Sequence, residues 1–262
     1  MPVSLEEILA TTERTLPALR ARRRELERQA ADRAPGPSFR TALTGAAVAL
    51  IAEVKRRSPS AGSIREDLEP AAQAVHYADG GAAAISVLTD GPYFGGSLDD
   101  LRSVAGWVNV PVLRKDFILS EEQVLEARAA GASAVLLIVR ALAPRRLESL
   151  RRFVADAELA ALVESHTAAE VATALDIGAE IVGINSRDLD TFRIDVDAAW
   201  QLFAKVPRGV VAVAESGMAS VHDISRAAAA GADAVLVGTA LSASESPGVL
   251  ARQLAGVTRV GR

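Results

Sequence analysis

"GASAVLLIV", residues 131–139, joins a glycine–alanine pair to a run of apolar residues, and the chain repeats this pattern. A glycine in this place is typical of the left-handed turn that ends a helix. A short apolar run without polar alternation is typical of a strand buried on both faces, as in a parallel sheet. The same pattern occurs in GGAAAISVL (80–88), GAEIVGIN (178–185) and GADAVLVG (231–238).

Four further apolar runs lie before and between these segments: VALIAEVK (48–55), VNVPVLRK (108–115), LAALVE (159–164) and GVVAVAE (209–215). Helical patterns separate the runs, and those that begin at Ser120 and Ser220 each open with a capping residue and close at a glycine. Eight strands that alternate with helices predict a (β/α)8 TIM barrel, and a doubly wound parallel sheet is the alternative. We expect a single domain over residues 1–262, with a helical extension at 1–45 and the barrel at 46–262.

The composition of the 262 residues narrows the class of protein. Half of the residues are hydrophobic and 4% are aromatic, which favours a core of Ala, Val, Leu and Ile. The absence of cysteine excludes disulfides and cysteine-ligated metals. A balance of 29 basic against 33 acidic residues gives no general case for nucleic acid. With no signal peptide and no membrane-spanning apolar run in the sequence, we expect a cytoplasmic protein that binds no membrane.

Polar residues stand at the carboxyl ends of several predicted strands, in phase with apolar residues behind them. Because side chains alternate along a strand and barrel active sites form at that end, we expect these residues to surround one mouth. Some of them could instead form a buried ion-pair network, although charges near a core are costly unless paired or useful. The set is Glu53, Lys55, Lys115, Glu164, Asn185 and Glu215.

Two loops indicate a phosphate site. Barrels often bind phosphate with the loops after strands seven and eight, which here read ESGMAS (215–220) and VGTALS (237–242). Each loop has a glycine beside a hydroxyl, although two ordinary helix starts would look similar.

The loop after the first predicted strand, from Arg56 to about Leu68, is long. Its length predicts a mobile cover or an anion contact, with simple disorder as the alternative.

A set of motifs resembles the indole-3-glycerol phosphate synthase family. The motifs are IAEVKRRSPSAG (51–62), SVLTDGPYFGGS (86–97), PVLRKDFI (111–118), LLIVRAL (136–142), ALVESH (161–166), GINSRDLDTF (183–192), VAESG (213–217) and VLVGTAL (235–241). The resemblance implies ring closure of 1-(2-carboxyphenylamino)-1-deoxyribulose 5-phosphate to indole-3-glycerol phosphate, with loss of carbon dioxide and water, in tryptophan biosynthesis. It also implies that no cofactor or metal is needed.

The resemblance implies a role for each matching residue. Lys115 is similar to the general acid that protonates the substrate ketone, and Glu164 to the base or proton relay of the dehydration. Lys55 is similar to the lysine that handles the carboxylate and phosphate ends, with a share of the acid work left open. Glu53 and Asn185 are similar to the pair that orients the reacting amine and hydroxyl.

The remaining roles concern substrate binding. The resemblance places the phosphate on Ser58, Ser216, Gly217, Gly238 and Thr239, and the anthranilate ring against Phe94, Phe117 and Leu136. It makes Arg187 and Ser216 supporting polar contacts, and we expect Glu215 to bind substrate as well. We interpret His166 as a loop residue.

Two other functions remain open to the sequence. Phosphoribosylanthranilate isomerase works on a similar barrel, but its chemistry calls for a Cys/Asp pair and the chain has no cysteine. A non-catalytic anion-binding or scaffold barrel would not need the full set of lysines and glutamates. As partners we expect a phosphorylated small molecule and no nucleic acid. We expect a monomer or weak homo-oligomer, with contacts to other tryptophan-pathway enzymes left open.

Overall fold

A closed ring of eight parallel strands organises the part of the chain that the computed structural model describes, residues 4–60, 62–188 and 191–261. Each strand pairs with the next along the chain, and the last pairs with the first, with Leu50 opposite Val235. This closure confirms the predicted barrel and excludes the open doubly wound sheet. The strands are β1 (Ala49–Val54), β2 (Ala84–Leu88), β3 (Val112–Lys115), β4 (Ala134–Ile138), β5 (Ala160–Ser165), β6 (Ile181–Asn185), β7 (Val211–Glu215) and β8 (Ala234–Val237).

Helices precede the barrel and follow its strands. Three precede it: α1 (Leu5–Ala21), α2 (Arg23–Asp32) and α3 (Phe39–Ala42). The helices that follow are α4 (Pro70–Asp79), α5 (Gly91–Phe94), α6 (Leu98–Trp107), α7 (Glu121–Ala129), α8 (Pro144–Asp156), α9 (Ala168–Asp176), α10 (Val196–Trp200), α11 (Val221–Ala230), α12 (Thr239–Ser242) and α13 (Pro247–Leu254). Short 3-10 turns occupy Val139–Ala141 and Phe203–Lys205. In the described ranges no helix is both long and apolar enough to cross a membrane.

The repeated glycine–alanine pairs work as the sequence predicts. The glycines at 81, 131, 178 and 231 have φ of 94°, 93°, 77° and 107°, a region that residues with a Cβ rarely adopt. Each glycine therefore lets the chain leave a helix and turn directly into the next buried strand. At the other end of two helices, Ser120 and Ser220 form capping boxes with Gln123 and Asp223.

Alternation along the strands separates the interior of the barrel from its outer face. Ile51, Leu113, Leu162 and Val213 belong to an apolar cluster that fills the interior. The strand residues of the opposite phase point outward and pack against the helices. Since the interior is filled mostly with apolar side chains, the charged residues of the same phase in the described strands stand at the carboxyl ends, while Ser86 is a small polar residue in the middle of β2.

The N-terminal helix α1 reaches the same end of the barrel. The hydroxyl groups of Thr11 in α1 and Tyr93 in α5 are 2.9 Å apart and form a hydrogen bond. Leu5 and Ile8 of α1 join the interior apolar cluster. The extension therefore packs beside the short helix that carries Phe94, a predicted site residue.

Candidate active site

A cavity of about 540 Å³ opens at the carboxyl ends of the strands. This volume lies within the range of roughly 300–1,000 Å³ that small-molecule sites occupy. All fifteen residues that the sequence singles out line its wall: Glu53, Lys55, Ser58, Phe94, Lys115, Phe117, Leu136, Glu164, Asn185, Arg187, Glu215, Ser216, Gly217, Gly238 and Thr239. The structure therefore brings the whole set together, while their chemical roles remain predictions.

Lys115 lies between two buried carboxylates. Its Nζ is 3.4 Å from Glu164 Oε2 and 3.4 Å from Glu215 Oε2. The two glutamate side chains expose only 1% and 2% of their surface. Lys115, Glu164 and Glu215 stand on β3, β5 and β7, and alternate strands contribute to one layer of side chains in such barrels. The fold thus places the Lys115 ammonium where it can form ion pairs with both Glu164 and Glu215.

The three groups strongly perturb each other. Burial opposes ionisation of Lys115, but the charges of Glu164, Glu215 and Glu53 raise the pKa of its ammonium. Burial also opposes ionisation of Glu164, but the charges of Lys115 and His166 and a hydrogen bond from Asn185 lower its pKa. Burial and the charge of Glu164 raise the pKa of Glu215 well above its usual range, against the effect of Lys115. These opposite directions make Glu164 the acid of the pair that ionises more readily and Glu215 the one that protonates more readily.

A second ion pair lies on β1. Glu53 Oε1 is 3.0 Å from Lys55 Nζ, and both side chains are largely buried. Position 238, directly after β8, favours glycine, because a Cβ there would overlap Glu53 Oε1 and approach Lys55 Nζ to 3.0 Å. In β6 a Cβ on Gly183 would likewise overlap Glu215 Oε1. Two glycines thus leave the room that the acidic side chains occupy.

Asn185 is oriented by the backbone that follows it. The Arg187 N–H donates a hydrogen bond of 3.0 Å to Asn185 Oδ1, so the amide nitrogen is directed to other partners, among them Glu164. The Arg187 guanidinium donates to the Phe192 carbonyl at 3.2 Å. Burial lowers the pKa of Arg187, against the charge of Glu53, yet an arginine remains charged at neutral pH.

The loop after β7 has an unusual backbone. Ser216 and Gly217 follow each other with φ of 65° and 78°. The Ser186 hydroxyl lies 3.1 Å from the carbonyl oxygens of both Glu215 and Ser216, and so holds the turn in place. Successive residues of this kind can turn backbone N–H groups towards one point, which suits an anion.

The long first loop is folded where the structure describes it. Arg57–Ser58 and Gly62–Ser63 pair as a short antiparallel hairpin, while residue 61 lies outside the described residues. Ser58 is buried, and its hydroxyl lies 3.4 Å from that of Ser60. The hairpin contributes Ser58 to the cavity wall, to which the first residue of α12, Thr239, also belongs.

An apolar wall faces the charged groups. The rings of Phe94 and Phe117 lie 6.2 Å apart with 40° between their planes, and Leu136 of β4 lines the same cavity. Sequence reasoning missed Ile138 and Leu236, which also line it. Both are in the inward phase of their strands, so the alternation that identified Leu136 could have identified them.

His166 is the most informative residue that sequence reasoning left aside. It follows the last residue of β5, as a loop residue would, but its side chain exposes only 6% of its surface. Its Nε2 is 3.5 Å from Glu164 Oε1. The strand runs one residue further than the sequence run ending at Glu164, and this extension brings the imidazole behind the carboxylate.

The (β/α)8 barrel thus has an ammonium between two acids, an apolar wall and glycine-containing turns after β7 and β8. This combination is typical of an enzyme with acid–base chemistry on a phosphorylated small molecule. Comparison with known proteins identifies the family. The sequence model of indole-3-glycerol phosphate synthase matches residues 5–254. The chain belongs to the indole-3-glycerol phosphate synthase family, which confirms the resemblance seen in the motifs.

Relatives cover nearly the whole chain. An indole-3-glycerol phosphate synthase of Koribacter versatilis is 43% identical over 261 residues, which are 98% of this chain and 100% of the relative. One from Parafrankia sp. is 48% identical over 247 residues, 93% of this chain and 92% of the relative. Among solved structures, 3-hexulose-6-phosphate synthase from Salmonella typhimurium aligns with a TM-score of 0.63 at 17% identity, covering 79% of this chain and 97% of that one. This last likeness shows the barrel fold alone.

Proposed function

We propose that this chain catalyses the family reaction, in which 1-(2-carboxyphenylamino)-1-deoxyribulose 5-phosphate becomes indole-3-glycerol phosphate, carbon dioxide and water. The observation that carries the proposal is the Lys115 ammonium, 3.4 Å from each of two buried acids, in a cavity that also has an apolar wall. The reaction needs a proton donor at a ketone beside an aromatic ring, and this arrangement supplies both.

Ring closure is the step for Lys115. As the aromatic carbon attacks the C2 ketone, negative charge grows on the ketone oxygen, and Lys115 donates a proton to it. The carboxylate on the ring carbon then leaves as carbon dioxide, and the bonding electrons restore aromaticity. Because Lys115 is held between two buried carboxylates, its ammonium is positioned before substrate arrives.

Dehydration requires a base for the proton that the ring loses and an acid for the departing hydroxyl. Glu164 is the buried carboxylate whose pKa is lowered, so it accepts the ring proton, while a lysine ammonium protonates the hydroxyl and water leaves. Glu53 and Asn185 orient the reacting amine and hydroxyl, and Lys55 is a second ammonium beside Glu53. How Lys55 and Lys115 divide the acid work is a question for kinetics of single variants.

The substrate is bent over the site because both of its ends are bound. The anthranilate ring packs on Phe94, Phe117 and Leu136, while Arg187 and Ser216 are supporting polar contacts and Glu215 also binds substrate. A substrate held at both ends brings its ring carbon close to its ketone, which lowers the entropic barrier to closure. The phosphate is held by Ser58, Ser216, Gly217, Gly238 and Thr239, with Lys55 nearby.

The broader setting is part of the same proposal. The chain acts as a single barrel domain with its helical extension at 1–45, in the cytoplasm, and without cofactor or metal. It acts as a monomer or weak homo-oligomer. These expectations rest on the family and on the sequence.

A turnover assay tests the proposal. The purified chain should convert the carboxyphenylamino-deoxyribulose phosphate into a fluorescent indole product, and its gene should rescue a tryptophan auxotroph blocked at ring closure. Glu164→Gln should slow a step after ring closure, whereas Glu180→Gln, at an exposed glutamate before β6, should not. Calorimetry that shows binding of an unreactive analogue without turnover of substrate would favour a non-catalytic barrel and contradict the proposal.

A further inference from the structure

His166 lies behind Glu164, outside the set of residues that line the cavity. Its Nε2 is 3.5 Å from Glu164 Oε1, while Lys115 approaches the other oxygen, Oε2, at 3.4 Å. The Glu164 carboxylate is therefore held between an ammonium on the cavity side and an imidazole on the far side. His166 Nε2 is buried and has no hydrogen-bond partner among the described residues, so the imidazole presents an unsatisfied polar atom to Glu164 Oε1.

The second nitrogen of the imidazole is also engaged. His166 Nδ1 is 3.2 Å from Glu170 Oε2, and the His166 backbone N–H donates to the same oxygen at 2.7 Å. Burial opposes ionisation of Glu170, but these two hydrogen bonds lower the pKa of its carboxyl. Glu170 is thereby an acceptor that fixes the orientation of the ring, as carboxylates do behind many catalytic histidines.

The contacts continue to the surface. Arg140, in the turn after β4, approaches Glu170 Oε1 at 3.9 Å and Asp188 Oδ2 at 3.7 Å. Arg140 and Asp188 are partly exposed, with 29% and 44% of their side-chain surface accessible. The charged groups around the imidazole are thus Glu164 on its own strand, Glu170 from α9, Arg140 after β4 and Asp188 after β6, with Lys115 and Glu215 beyond Glu164.

We propose that His166 is a positioning residue for Glu164, which holds the carboxylate facing Lys115 and supports its negative charge from outside the cavity. The proposal rests on the function proposed above, in which Glu164 is a base. His166 touches neither the substrate cavity nor the reacting atoms, so it acts only through Glu164. His166 therefore increases the rate of the chemical step and has little effect on substrate binding.

Three substitutions separate the two nitrogen contacts. In His166→Ala, kcat at pH 7 should fall about tenfold, while KM stays within about twofold of the wild type. The acidic limb of the kcat profile should move to higher pH by about one unit or more, because a carboxylate that loses a neighbouring N–H donor takes up a proton more readily. His166→Gln, whose amide reaches towards Glu164, should restore kcat above the acidic limb. His166→Asn, which reaches only towards Glu170, should behave like His166→Ala.

A matched control and a second measurement keep the test decisive. His222→Gln, at an exposed position of α11, should leave the profile unchanged. Independently of turnover, the Nε2 resonance of His166 in ¹⁵N NMR should shift in Glu164→Gln, while those of His76 and His222 should not. An unmoved acidic limb in His166→Ala, equal kcat for the Gln and Asn variants, or an unmoved Nε2 resonance would overturn the inference. Absence of wild-type turnover would refute the proposed function alone, because the resonance still decides whether His166 and Glu164 are coupled.

Discussion

Replacement of Lys115 by methionine removes the ammonium and keeps a side chain of similar length. If Lys115 supplies the proton for ring closure, kcat should fall by about 10² to 10⁴, the usual contribution of a positioned general acid. KM should change much less, because the residues proposed to bind the phosphate and the aromatic ring remain. The contrast between the two constants distinguishes lost chemistry from a distorted cavity.

The same change has a calculable effect on stability. Without Lys115, the largest influence that lowers the pKa of Glu164 is gone while its burial remains, so its pKa rises and it takes up a proton in the folded state. The unfolded carboxyl has a pKa of 4.5, and keeping Glu164 protonated at pH 7 therefore costs at most about 3 kcal/mol. In this variant the folded pKa of Glu164 lies above the unfolded one, so stability is lost as pH rises above about 4.5. Near pH 5 the variant should be almost as stable as the wild type.

The assay has two arms. Formation of the fluorescent product gives kcat and KM, and thermal unfolding at pH 5.5 and pH 8 gives the stability difference. Lys205→Met, at an exposed lysine far from the cavity, is the matched control and should change neither. A Lys115→Met enzyme that keeps more than about a tenth of the wild-type kcat would remove Lys115 as the acid. A stability loss that is equal at both pH values would refute the charge argument.

Three further changes test individual contacts. Gly183→Ala places a Cβ against Glu215 Oε1 and should lower kcat about tenfold with KM close to the wild type, as measured by steady-state kinetics. Gly217→Ala forces a Cβ onto a residue with φ of 78° and should raise KM and weaken binding of inorganic phosphate in calorimetry. Arg259→Ala removes the guanidinium partner of buried Asp233 at the opposite end of the barrel, so it should cost about 1–3 kcal/mol in thermal unfolding without a change in kcat.

The barrel was predictable because its local and global signals agree. A left-handed glycine followed by a buried run appears four times, and the intervening runs supply the other strands. The bounds of single strands were less predictable. The apolar run that begins at Val108 yields a strand only from Val112, because Val108 still caps helix α6 and Pro111 has no N–H to donate to a neighbouring strand.

The position of the site residues was predictable for a simple reason, and their states were not. Alternation fixes which face a side chain occupies, so Lys115, Glu164 and Glu215 could be placed at one mouth from their phase alone. Which acid holds a proton depends on distances between β5 and β7, which no single run of sequence contains. The role of Gly183 was hidden for the same reason, since the atom it makes room for belongs to another strand.

The balance of charge in the mouth links these observations. Two lysines, Lys55 and Lys115, face three carboxylates, those of Glu53, Glu164 and Glu215. If all three acids were ionised, these five side chains would carry one excess negative charge, which the Arg187 guanidinium on the same cavity wall would balance. The pKa of Glu215 is raised by burial and by the charge of Glu164, so of the three acids Glu215 is the one expected to hold a proton. With that proton in place the five side chains carry no net charge, and the positive charge of Arg187 is left to attract the phosphate and carboxylate that the proposed substrate brings. A protonated Glu215 would thus favour substrate binding and leave Glu164 as the proposed base.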